Sequence, residues 1–291
     1  MFKLGVFTDE VSQDFGAAVE LAQEYGLDGL EVRSAWDKPP HELENRDIRD
    51  MREMLKGSKL AICSIAAPFY KCDIDSPAER AEHLAILESC CKLADVFDCD
   101  IIRGFTFWLK GNPDDRWGEI LSAFDEPLEI LERYNKTLAI ENEASTMVGN
   151  GRVLARFLSD LDSDRVGAMW DPANDIFDTA GEIPYPDGYE AIKDRMPHMH
   201  LKDAHLNAET GEPECTPIGD GAVDMPGQLQ ALIHDGYEGY VSLETHWRPQ
   251  SLSEDQLNRP GGAAFSESGE FATRLCLDNW LVILKELGLR G

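Results

Sequence analysis

The chain has no apolar run near the roughly 20 residues that a membrane-crossing helix requires. Its first residues, MFKLGVFTDE, lack the apolar core and small-residue cleavage site of a secretory leader. Basic residues are scarce: 27 Lys and Arg stand against 55 Asp and Glu, for a formal charge of −28. Such a surface repels a phosphate backbone, so the expectation is no nucleic-acid partner and no membrane. There is no CxxC pair to build a zinc knuckle. The seven cysteines, odd in number and including the vicinal Cys90 and Cys91, make no disulfide framework and suit free thiols in a reducing cytoplasm. Finally, no GxGxxG follows the first apolar strand, which speaks against an open dinucleotide-binding sheet.

What is present is a repeat of strand and helix. Apolar, β-branched stretches occur at 3–9, 29–35, 60–68, 99–107, 138–143, 166–171, 198–203 and 240–246. Each is followed by an amphipathic helical pattern, near 12–26, 41–57, 77–98, 116–135, 150–161, 186–195, 226–236 and 268–287, with Ser12 as the expected N-cap of the first helix. Eight βα units with no shift in composition predict a parallel sheet closed into a single (β/α)8 TIM barrel, one α/β domain over residues 1–291. Two connections are long, 204–225 and 247–267, and both belong at the C-terminal face, where barrel active sites lie.

Strands five to eight each run from apolar residues straight into a candidate ligand: Glu141 in LAIENEAS, Asp171 in AMWDPAND, His200 in HMHLKD and Glu244 in SLETHW. A carboxylate inside a barrel is costly unless it is paired or bound to a cation. Three carboxylates and one imidazole make a hard, oxygen-rich set, which favours Mn²⁺ or Mg²⁺ and admits Co²⁺ or Zn²⁺. Alternation puts His198, His200 and Lys202 on one face of their strand, while Met199, Leu201 and Asp203 face the other way. By the same rule Trp170 faces outward into the core. Arg33 and Arg103 end strands two and four and are candidates for a substrate anion or for ion pairs with local acids; Glu10 ends strand one.

The ordered segments LAIEN, WDPAN, HMHLKD with IGDGAVD, and SLETH resemble the xylose-isomerase-like barrel superfamily of sugar phosphate isomerases and epimerases, over nearly the whole chain from GVFTDEVSQD onward. That resemblance implies one divalent cation held by Glu141, Asp171, His200 and Glu244, with Glu141 and Glu244 also carrying protons. It implies an isomerase or epimerase of a sugar, sugar phosphate or keto-sugar, working through a metal-stabilised enediolate. His198 would stand behind the ligand set; Lys202, His246, Glu143 and Asn174 would meet the substrate. Many relatives carry a histidine where Glu143 stands, and several epimerases carry one where Asn174 stands, so both are local departures. The HxHxKD pattern equally resembles dehydratases of keto-inositols, making a lyase the alternative, with Lys202 or His246 as acid. Apurinic-site endonucleases of the same superfamily need three metals and extra histidines, which AAPFY and GFTFW do not offer. A metal-free glycosidase would leave His200 and Asp171 without purpose. A non-catalytic sugar-binding barrel is the remaining rival. Barrels of this kind are often dimers or tetramers, and the 247–267 loop is the expected contact.

Overall fold

A computed structural model of the protein describes residues 1–250 and 252–289. The strands are β1 (Lys3–Phe7), β2 (Gly29–Val32), β3 (Ala61–Phe69), β4 (Ile101–Gly104), β5 (Thr137–Glu141), β6 (Val166–Trp170), β7 (His198–Leu201), β8 (Asp203–Leu206), β9 (Pro213–Thr216) and β10 (Tyr240–Leu243). Eight of them close a parallel barrel in the order β1-β10-β7-β6-β5-β4-β3-β2, as the βα repeat predicts. Apolar side chains dominate the face toward the helices, where Val6, Leu30, Ile65, Ile102, Ile140, Ala168, Leu201 and Leu243 are all excluded from solvent, while the inward face carries the buried polar residues Glu31, Ser64, Arg103, His198, His200 and Ser242. An apolar outer face of this kind is what a sheet covered by helices requires. Trp170 does face the helical layer, where its indole Nε1 donates to Gln228 Oε1 at 3.0 Å.

The local differences from expectation occur where side chains redirect the backbone. The first strand ends at Phe7, and Thr8–Val11 forms a short helix that turns Asp9 and Glu10 into the barrel mouth. The next helix is Phe15–Glu24, and its N-cap is Asp14 rather than Ser12: Asp14 Oδ1 accepts from Gly16 N at 2.9 Å, while Ser12 Oγ accepts from Asp14 N. The pattern at 116–135 divides into Trp117–Ser122 and Asp125–Tyr134.

The long connections carry structure of their own. After β7 the chain turns into an antiparallel ribbon of β8 and β9. Asp203, the aspartate of HMHLKD, faces away from the site and organises the IGDGAV turn, its carboxylate accepting from the amides of Ala204, Gly219, Gly221 and Val223 at 2.9–3.2 Å. In the last connection the short helix Glu254–Asn258 reaches the segment after β3, where Asn258 O accepts from Lys71 Nζ at 3.0 Å, and Gly262–Ser266 packs against the Thr8–Val11 helix, where Ser266 Oγ donates to Asp9 O at 2.7 Å.

Candidate active site

Glu141 closes β5, Asp171 follows β6, His200 lies in β7 and Glu244 follows β10, so four neighbouring strands deliver them to one point. One ligand atom from each lies within 4.8 Å of the others, and all four residues are buried. His200 Nδ1 stands 3.5 Å from Glu141 Oε1 and 3.7 Å from Glu244 Oε2. That nitrogen is buried without a hydrogen-bond partner, an expensive condition unless something else is to be bound there. The donor set thus fits a hard divalent cation.

Cations of the chain occupy the same space. Lys202 Nζ is 2.7 Å from Asp171 Oδ2, 3.2 Å from Glu244 Oε2 and 2.8 Å from Asn174 Oδ1. Arg103 Nη1 approaches Glu141 Oε2 at 3.3 Å. The electrostatic result separates the carboxyls. Burial pushes Asp171 up to about 7 despite Lys202. Burial also works to raise Glu141, yet the charges of His200 and Arg103 outweigh it and hold it near 2. Glu244 is held well below the usual carboxylate range: burial opposes this, and Lys202, His246, His200 and Arg33 prevail. His200, disfavoured as a cation by burial, is raised to about 10 by Glu31 and Glu141.

Above these groups opens a cavity of about 50 Å³. Of the residues singled out in the sequence, Arg103, Glu141, Glu143, Asn174, Lys202, Glu244 and His246 line it. Asn174 Nδ2 donates to Glu141 Oε1 at 3.1 Å, and Glu143 pairs with Lys71 at 3.2 Å. Both long connections contribute walls, through Cys215 of β9 and through Asn258 and Pro260.

Arg33 and His198 do not reach the cavity. Arg33 is taken up by ion pairs to Asp9 at 3.0 Å, Glu10 at 2.8 Å and Glu244 at 2.6 Å, which leaves its guanidinium no fork for a substrate anion. His198 stands behind His200 and meets Glu31.

The sequence reading passed over Glu31, Lys71, Asn142 and Arg248. Asn142 joins two strand ends, donating to Asp171 O at 2.8 Å and accepting from Asp171 N at 2.9 Å. Arg248 and His246 both bind Glu10, at 2.9 Å each. For Glu31 a signal was present: a charged residue between Leu30 and Val32, sharing the face of Arg33 by alternation.

A sequence profile of the xylose isomerase-like TIM barrel family matches residues 19–273. Inosose dehydratase of Lactiplantibacillus plantarum is 25% identical over 161 residues, 48% of this chain and 50% of that protein; the match spans about half the length of that relative. Fructoselysine 3-epimerase of Escherichia coli O157:H7 is 22% identical over 240 residues, 77% of this chain and 82% of its own. Among solved structures, the IOLI protein with a binding zinc atom superposes with a TM-score of 0.73 at 16% identity, over 98% of this chain and 99% of its own, a likeness of fold.

Proposed function

The chain belongs to the xylose isomerase-like TIM barrel family, and from that premise we propose that it is a divalent-cation-dependent isomerase or epimerase of a sugar, sugar phosphate or keto-sugar. The observation that carries this is the convergence of Glu141, Asp171, His200 and Glu244 beneath a polar cavity, with His200 Nδ1 left unpartnered among their oxygens. These four residues would hold the cation, Mn²⁺ or Mg²⁺ before Co²⁺ or Zn²⁺ by the hardness of the donors; a structural neighbour of the same fold carries a bound zinc atom, in keeping with a divalent cation. When bound, the cation supplies Lewis-acid polarisation of a substrate carbonyl.

The rest falls to the chain. Isomerisation and epimerisation both remove a proton from carbon beside a carbonyl and return one elsewhere. Glu141 and Glu244, both held ionised, are ready to accept that proton. They reach the cavity from β5 and β10, on opposite sides of β6 and β7, so either can take the carbon proton. The carboxyl that gains it is then the acid that returns it for isomerisation, and inversion requires the opposite carboxylate to have first taken a proton from solvent. Asn174 and Arg103 fix the Glu141 carboxylate. Lys202, charged and aimed into the cavity, orients substrate oxygens.

A second reading, dehydration of a keto-cyclitol, is favoured by the inosose dehydratase relatives and by the proximity of Lys202 to Glu244, which places a donor beside a base. The test is solvent-deuterium incorporation followed by NMR over a panel of keto-sugars and inosose-like cyclitols, with Mn²⁺ supplied. Exchange without loss of water supports isomerisation or epimerisation; loss of water supports the lyase. Removing a general base costs about 10²–10⁴ in rate, so Glu141→Gln and Glu244→Gln should each suppress exchange by that order. Full activity in both variants would overturn the mechanism.

A further inference from the structure

Glu31 is a charged side chain at the centre of the barrel, fully excluded from solvent, on a strand otherwise made of Gly29, Leu30 and Val32. Among the described residues its side-chain hydrogen-bond partners are His198 and His200, neither of which lines the cavity. Its register partners are Phe7 on β1 and Ser64 on β3, and its carboxylate crosses the barrel to β7. There Oε2 lies 2.9 Å from His198 Nε2 and Oε1 lies 3.3 Å from His200 Nε2. His198 Nε2 has a second neighbour in Ser242 Oγ at 3.0 Å, whereas Glu31 is the hydrogen-bond partner of His200 Nε2 among the described residues. The Phe7 ring packs edge-on against His200, with centroids 4.9 Å apart and planes at 70°.

We propose that Glu31 is the positioning residue of the cation site, an inference that rests on the cation-site reading above. An ionised carboxylate only accepts hydrogen bonds, so it selects the imidazole form with the proton on Nε2. The Nδ1 proton is displaced as a cation arrives, and the neutral ring then presents its Nδ1 lone pair among Glu141, Asp171 and Glu244. Phe7 sets the ring plane, Glu31 sets which nitrogen is the ligand, and hydrogen bonding to the carboxylate raises the basicity of that nitrogen. Two oxygens are needed because two rings must be served. A glutamine of the same shape offers one acceptor, and its amide would present N–H groups to the other ring.

The experiment is calorimetric titration of MnCl₂ into chelator-stripped protein, with thermal unfolding measured alongside. Loss of such a partner typically costs 10–100-fold in metal affinity, so Glu31→Gln should weaken Mn²⁺ binding by about that factor. Ser242→Ala, which removes the second hydrogen-bond neighbour of His198 Nε2 and no hydrogen bond of His200, should stay within about twofold. Should Glu31→Gln fail to fold, Glu31→Asp carries the test, expected to weaken binding by at least about fivefold because the shortened side chain cannot serve both rings. Wild-type affinity in the Glu31 variants, or an equal loss in Ser242→Ala, overturns the positioning role while leaving the cation site standing. A folded wild type that takes up no Mn²⁺ overturns the cation site and the positioning role together.

Discussion

On the β1–β2 side of the barrel mouth, Arg33 meets Asp9, Glu10 and Glu244, and Glu10 in turn meets Arg248 and His246. On the β5–β7 side, Glu141 and Asp171 gather near His200 Nδ1, a nitrogen with no hydrogen bond, and Lys202 is the cation drawn in among them. Both sides bury carboxylates, yet the first is closed by the chain's own guanidinium groups while the second opens onto a cavity. Closure by arginine is permanent, because the guanidinium cannot deprotonate and its donors are fixed in a plane. Lysine is a flexible point charge that can withdraw when a stronger cation arrives. The contrast separates a structural ion network from a site built to be filled.

The sharpest way to break this comparison is to remove the cation on each side. Deleting one partner of a buried ion pair costs about 3–5 kcal/mol because a charge is left uncompensated. Arg33→Met should therefore lower unfolding stability by about that amount in urea denaturation, and added Mn²⁺ should restore little of it. Lys202→Met should also destabilise the chelator-treated protein, but saturating Mn²⁺ should recover most of the loss. Equal rescue of the two variants would erase the distinction between the sides.

A second prediction concerns the open side alone. At a free cation concentration one hundred times its Kd, a ligand that binds only the folded state adds about 2.7 kcal/mol of stability. Wild type should show that gain with Mn²⁺ and lose it in chelator. His200→Ala should show no gain, and elemental analysis should find about one bound cation per chain in wild type alone.

The same contrast explains what could be read from the sequence. The open side was legible because each ligand ends an apolar strand, so Glu141, Asp171, His200 and Glu244 stand out as charges where burial is expected, and the βα repeat aligns them. The closed side was not, because its geometry depends on a turn that the residue pattern does not announce. Thr8–Val11 reads as strand continuing into loop, and only its helical backbone brings Asp9 and Glu10 onto Arg33. From the residue pattern alone Arg33 thus stays open between a substrate anion and local acids, and the turn is what decides for the acids. Arg248 and Phe265 reach this network from the last long connection, over separations that no local pattern encodes. Glu31 escaped for a different reason: its partners lie on β7, some 167 residues away in sequence.

A third prediction tests the buried acid beneath the open side. Asp175 is 1% exposed, and burial together with the neighbouring Glu182 carboxylate pushes it up to about 9. Its Oδ1 accepts from Asn142 Nδ2 at 2.9 Å, and Asn142 is the residue that joins Asp171 to β5. A carboxyl with a folded pKa above its unfolded value binds more protons in the folded state between the two values. Stability from Asp175 is therefore fully present below about pH 4 and declines as pH rises toward about 9. Asp175→Asn keeps the acceptor for Asn142 and replaces the carboxyl proton with amide hydrogens that need no titration. Urea midpoints measured from pH 5 to pH 9 should fall with pH in wild type and fall less steeply in the variant. Parallel slopes would mean that Asp175 is ionised like an ordinary aspartate, and that the strand ends of β5 and β6 are joined over a buried charge instead of a neutral pair.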